Sequence, residues 1–263
     1  LMDIVYLIIS FVASCAGAIC GIGGGVIIKP VLDAVGIASV ATINFLSGCT
    51  VLAMSAYSVG KGIMSREKAV DFSTGTPLAI GAAVGGIIGK NLFSAVASLF
   101  NTANTAGAVQ AACLLVITVG TLIYTINKDK VKTHKITSPV ACIIIGLALG
   151  IMSSFLGIGG GPINLVVLYY FFSMPTKTAA QNSLYIILFS QLTGFLSTVV
   201  SGVPTFSTLS LALMVAGGIL GAICGRSVNK KLTGKGVDKL FMGLMLVIIS
   251  LCAYNIAANL IRY

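Results

Sequence analysis

The feature that most constrains this chain is the cluster Gly21-Ile22-Gly23-Gly24-Gly25, set inside an apolar run and repeated as Gly157-Ile158-Gly159-Gly160-Gly161 inside another, 136 residues later. Each glycine costs a helix about 1 kcal/mol relative to alanine, so neither run can continue as one helix through its cluster. In lipid the freed backbone groups need partners, and such breaks survive only inside protein or beside a wet cavity. Apolar residues resume at Val26 to Val31 and at Pro162 to Leu168. Pro162 suits the first position of a new helix, where its missing N–H is no loss. The pattern predicts two broken helices whose second halves start with bare N–H groups at membrane depth, each a ready anion site.

The solvent of the rest follows from composition. Charged residues make up 8% of the chain, against roughly 25% in a soluble protein, while 57% are hydrophobic and the mean hydropathy is +1.07. An all-α polytopic membrane protein is expected, multi-pass in the cell (plasma) membrane with the lipid bilayer as its surroundings. The first apolar run has no basic lead and continues into the glycine break, which reads as a membrane segment and not a cleaved leader. The net charge of +10 does not point to nucleic acid, because the basic residues sit in loops between apolar runs. Seven scattered cysteines form no Cys-x-x-Cys pair and are read as small packing residues.

The chain divides into two similar halves. The first has a broken segment from about Ile4 through Cys20 to Val35, then runs at Val40–Tyr57, Phe72–Ala97 and Gly107–Ile126. The second has Val140–Leu156, a break, Pro162–Phe172, then Ala179–Val200, Thr208–Gly225 and Val237–Leu260. Gly81, Gly85, Gly89 and Lys90 correspond to Gly217, Gly221, Gly225 and Arg226 at the same separation, and Asn44 corresponds to Asn182 after a short indel. The reading is two homologous repeats, residues 1–127 and 139–263, joined by a basic cytoplasmic linker at 128–138, each with one glycine-broken helix hairpin and three full transmembrane helices.

Charge decides their relative orientation. If each broken segment enters and returns as a hairpin, the halves are inverted. Lys61, Arg66, Lys68, Lys128, Lys130, Lys132, Lys135, Lys177, Arg226, Lys230, Lys231, Lys235 and Lys239 then share the cytoplasmic side, leaving only Lys29, Lys90 and Arg262 elsewhere. If each broken segment crosses once, two basic loops face opposite sides. The inverted arrangement is the expectation.

The duplicated glycine cluster, with Pro30 after its first copy and Pro162 directly after its second, and the glycine-rich third segments anchored by Gly85 and Gly221 resemble the TauE/SafE (sulfite exporter) membrane permeases. The likeness runs over essentially the whole chain. It implies a transporter of sulfite, of sulfonates such as sulfoacetate, or of other small sulfur-containing anions.

The substrate-binding residues expected from the chain are Gly23, Gly24, Gly25, Gly159, Gly160 and Gly161 at the breaks, joined by Lys29, Asn44, Asn164, Gln181, Asn182 and Ser183. Neutral donors suit an anion that must also leave. Lys29 is the basic residue close behind a break, and it is also placed to pair with Asp33 one turn on. Gln191 and Thr193 read as interhelical hydrogen-bonding groups. Lys90 and Arg226 read as cations closing their helices, with a secondary role in drawing anions to each entrance. No carboxylate lies well inside an apolar run, and His134 is alone in the basic linker, so no catalytic residue, metal site or cofactor is expected. The expected partners are a small anionic substrate and a coupling ion, H+ or Na+, with oligomerisation open. Alternating access between the breaks is the expected mechanism; an anion channel with a continuous pore, or a carrier of another small organic anion, is the alternative.

Overall fold

A computed structural model describes residues 2–36, 38–65, 70–98, 103–158 and 160–261. Gly159, Arg66, Lys68 and Arg262, which entered the expectations above, lie outside the described residues. These fold into ten α-helices: α1 (Met2–Cys20), α2 (Gly25–Val35), α3 (Val40–Met64), α4 (Phe72–Ala97), α5 (Ala103–Asn127), α6 (Pro139–Leu156), α7 (Pro162–Phe172), α8 (Thr176–Ser201), α9 (Thr208–Lys231) and α10 (Gly234–Ile261). Eight are long and apolar enough to cross a membrane. The other two, α2 and α7, have 11 residues each. At 1.5 Å per residue they reach only about half of a hydrocarbon layer roughly 30 Å thick.

Both short helices turn back. The last turn of α7 is stitched to the basic linker by the His134 N–H on the Tyr170 carbonyl at 2.7 Å and the Ile136 N–H on the Phe171 carbonyl at 3.0 Å. The chain thus leaves α7 at the end of the molecule where it entered α6. Likewise α2 leads through Gly36, in the left-handed conformation, into α3, whose Thr42 hydroxyl donates to the Thr205 carbonyl just before α9. Asp3 at the head of α1 accepts from Ser210 at the head of α9, so α1, α3 and α9 start together.

The glycine-rich third segments join the two halves. Gly217, Gly221 and Gly225 on α9 rest on the carbonyls of Leu7, Phe11 and Cys15 on α1. Gly81, Gly85 and Gly89 on α4 rest in the same way on Ile143, Leu147 and Ile151 of α6. The residue offset is constant along each pair, so each pair runs parallel, with backbones close enough for Cα–H···O contacts. These stripes therefore pack within one chain. At the centre, α3 and α8 run antiparallel: Phe45 stacks near Phe195, Gly48 faces Gln191, and Val51 meets Ile187 over Gly23. By contrast, α4 runs parallel to α8, with Gly75 at Asn182 and Lys90 at Thr198, and α3 runs parallel to α9, with Thr50 at Gly218 and Ser58 at Arg226.

One expectation is corrected here. Lys90 and Arg226 do not close their helices: α4 continues to Ala97 and α9 to Lys231. Leu92, Phe93 and Ala95 carry the apolar pattern past Lys90, so the cation is held along the helix and not at its end.

Candidate functional site

Helix α6 stops because Gly157 takes φ +66°, and Gly161 at φ +67° then sets the approach to α7, which starts on Pro162. These are conformations that L side chains rarely adopt. At Gly157 space adds a second constraint, since a β-carbon there would lie 2.6 Å from Asn44 Oδ1. Asn44 and Gly157 together form the floor of a cavity of about 610 Å³ between α3, α4 and α8.

The cavity wall carries one cation. Lys90 Nζ donates to Thr198 Oγ1 at 2.9 Å. Gln191, Ser94 and Ser154 add neutral polar groups, and Phe45, Phe93 and Phe195 line the remainder. No carboxylate is among the lining residues. Low-dielectric walls and a single uncompensated ammonium give a positive potential that concentrates anions. Asn44 Oδ1 is buried and has no hydrogen-bond partner among the described residues, so the amide at the floor keeps capacity in reserve. One charge and several neutral groups suit an anion held firmly enough to be selected and loosely enough to be released.

The two breaks meet. Gly25 packs on the Ile158 carbonyl, and Gly161 packs on Val26. The contact is apolar, however, with Ile22, Val26 and Ile158 fully buried there. At the first break Gly23 is covered by Val51 and Ile187, and the Gly24 N–H donates to Met54 Sδ at 3.3 Å. The first break is thus packed shut, while the second borders the cavity. On its other face, Gly160 and Asn164 adjoin Ser153, Ser190 and Ile187 around a small void. Asn164 Oδ1 and both serine hydroxyls are buried there with no hydrogen-bond partner among the described residues.

Other expected residues are not brought to the cavity. Lys29 lies in α2, paired with Asp33 at 3.4 Å. The Asn182 side chain accepts from the Asp71 N–H at 3.1 Å and donates to the Thr178 carbonyl at 2.9 Å. Gln181 and Ser183 flank it, buried, and Gln181 faces Gly62 beside Arg226. That end is closed over Arg226, which donates to the Ser58 carbonyl at 2.9 Å and is 6% exposed, and over Asn229, which donates to the Ile19 carbonyl. Asp71, at the head of α4, is drawn upward by partial burial, but hydrogen bonds from Ser73 and Thr74 outweigh this and hold its carboxyl below the usual value.

Sequence reasoning under-rated Lys90 and Gln191 and passed over Ser94, Thr198 and Ser154. Only the continuation of the apolar pattern beyond Lys90 could have signalled that its side chain belongs to a helix interior. The grouping of α3, α4 and α8 residues in one cavity has no local signature.

Comparison with known proteins agrees with this architecture. The family model for the sulfite exporter TauE/SafE matches residues 6–251, which includes both breaks and both glycine stripes. The chain is 24% identical, over 278 aligned positions, to the probable membrane transporter protein YunE of Bacillus subtilis (strain 168), covering 94% of this chain and 95% of that protein. No solved structure matches. With eight apolar helices of spanning length and a family match over nearly its whole extent, the chain belongs to the TauE/SafE sulfite exporter family and is a multi-pass membrane transporter.

Proposed function

We propose that this transporter is a secondary carrier of small sulfur-containing anions, sulfite or organosulfonates such as sulfoacetate, and that it works by alternating access. The observation that carries the reading is the cavity that ends on Asn44 and Gly157 beneath Lys90, while the corresponding cation Arg226 is buried at the other end. In this reading residues 1–127 and 139–263 are inverted repeats about the linker 128–138. The antiparallel pairing of α3 with α8 supports the inversion, because a parallel duplication would align those helices. So does the exchange of partners, in which α4 packs on α6 and α9 on α1. The substrate passes from the cavity to the second break. There Gly160 and Gly161 at the head of α7, with Asn164, Ser153 and Ser190, form the inner part of the site.

The test is counterflow of radiolabelled sulfite and sulfoacetate in proteoliposomes. A carrier gives saturable exchange that unlabelled anion accelerates from the far side; large single-channel currents would instead assign a pore. Lys90→Ala should weaken apparent affinity about tenfold to a hundredfold, the worth of one hydrogen bond from a charged group. Gly24→Val and Gly160→Val should abolish exchange while inserting normally, since one drives a side chain into Ser14 and the other into Ile187 and Asn164. Normal flux in both glycine variants would remove the breaks from the mechanism.

A further inference from the structure

The anion site leaves one buried pair of charges unused. Lys29 and Asp33 face each other one turn apart on α2, with side chains 4% and 18% exposed. Their Nζ to Oδ2 separation of 3.4 Å is long for a charge-assisted hydrogen bond. Asp33 Oδ1 has no hydrogen-bond partner among the described residues, and neither has the nearby Asn255 Oδ1 of α10, both buried. Asn255 is anchored through its Nδ2, which donates to the Pro30 carbonyl at 2.9 Å. Buried acceptors with spare capacity therefore lie on both of the packed helices α2 and α10.

Packing does not account for the pair. Replacing a buried ion pair with apolar residues is often neutral or stabilising. The second half-helix, of equal length, carries Leu165 and Tyr169 at the corresponding positions. Nor does the pair suit a metal cation, because the Lys29 ammonium stands where such an ion would need oxygen ligands. The titratable group facing the pair from α10 is the Cys252 thiol. The charged residues of the other helices against α2 are engaged elsewhere: Asp3 of α1 with Ser210 of α9, and Lys61 in the last turn of α3, at the opposite end.

We propose that Lys29 and Asp33 form the protonation site that couples anion movement to a proton. The Asp33 carboxylate, the more exposed partner, takes a proton from hydronium at the acidic side: one O–H bond forms on the carboxyl, one O–H bond of hydronium breaks, and a neutral water leaves. The pair goes from net zero to +1, and an ammonium without its counter-ion is costly in an apolar seam. Lys29 is one turn from Gly25, which rests on the Ile158 carbonyl of the second break. An anion bound at that break offsets the added charge, so proton and anion are carried together. This rests on the carrier reading above for the anion, but not for the proton.

Two measurements separate those parts. Infrared titration of the purified protein, wild type minus Asp33→Asn, detects the Asp33 carboxyl with no transported anion present. A carboxylic-acid band that appears on acidification is expected, and no titrating band overturns the proposal even if exchange is normal. In proteoliposomes, gradient-free exchange of labelled sulfite or sulfoacetate tests the carrier reading alone. An outside-acid gradient of one pH unit should then drive up to about tenfold accumulation in the wild type. The ratio of uptake with and without the gradient should fall to one in the charge-free Lys29→Leu/Asp33→Leu variant, whatever exchange rate it retains. An unchanged ratio in that variant, or accumulation driven by the reverse gradient, overturns the proposal.

Discussion

Lys90 and Arg226 occupy corresponding places in the two halves, after the same glycine stripe, and their surroundings differ completely. Lys90 reaches Thr198 on α8 across the wall of an open cavity. Arg226 reaches the Ser58 carbonyl on α3 inside a closed seam, where Asn229 holds the Ile19 carbonyl and Asn182 holds the Asp71 N–H. The same glycine spacing followed by a cation thus supports two packing states at once, one at each end of the molecule. Two interfaces built from the same pattern can exchange roles with little net change in contacts, which is what a carrier open to one side at a time requires.

The comparison breaks most cleanly at topology, where the outcome is all or none. In the inverted reading, a cysteine at Lys132 and one at Lys235 lie on the same membrane side. Neither should react with an impermeant reagent applied outside intact cells, and labelling of one alone would end the symmetry between Lys90 and Arg226. Next in size is the seating of the two stripes. Gly85→Val and Gly221→Val each drive a β-carbon into a carbonyl of the facing helix, Leu147 or Phe11. Each should lower stability by about 1–3 kcal/mol or more, read as a fall in melting temperature. If only one does so, the two interfaces are not equivalent. The smallest effect sharpens the difference in state. Removing the guanidinium with Arg226→Ala should loosen the closed seam and raise cytoplasmic-side labelling of a cysteine placed at Gln181, which is 8% exposed. Equal labelling with and without Arg226 would mean that the seam is held by other contacts.

Much of the fold was legible because membrane insertion leaves few options. The helix starts and stops read from Cys20, Leu156, Pro162 and Phe172 coincide with those of the structure, since a glycine cluster in an apolar run has to break the helix. The Lys29–Asp33 pair was legible as well, being set by i, i+4 spacing within one helix. The site was legible only in part. Asn44, marked by the duplication, lines the cavity, and Gly160 and Asn164, marked by the second break, border the small void, but Asn182, the counterpart of Asn44, lies in the closed seam. Of the two roles open to Lys29, near a break and within reach of Asp33, the structure shows the pairing with Asp33 in α2.

The sequence by itself determined where helices run, where they break, and that a pattern of glycines and cations occurs twice. All of these are local consequences of backbone hydrogen bonding in an apolar solvent. Tertiary structure decided which copy of each pattern borders water. The first break is sealed by Met54 and Val51 of α3 and Ile187 of α8, while the second is left beside Asn44, Lys90 and Thr198. That choice depends on how α3, α4 and α8 pack against one another, and a pattern repeated in sequence carries no record of which copy the packing leaves open.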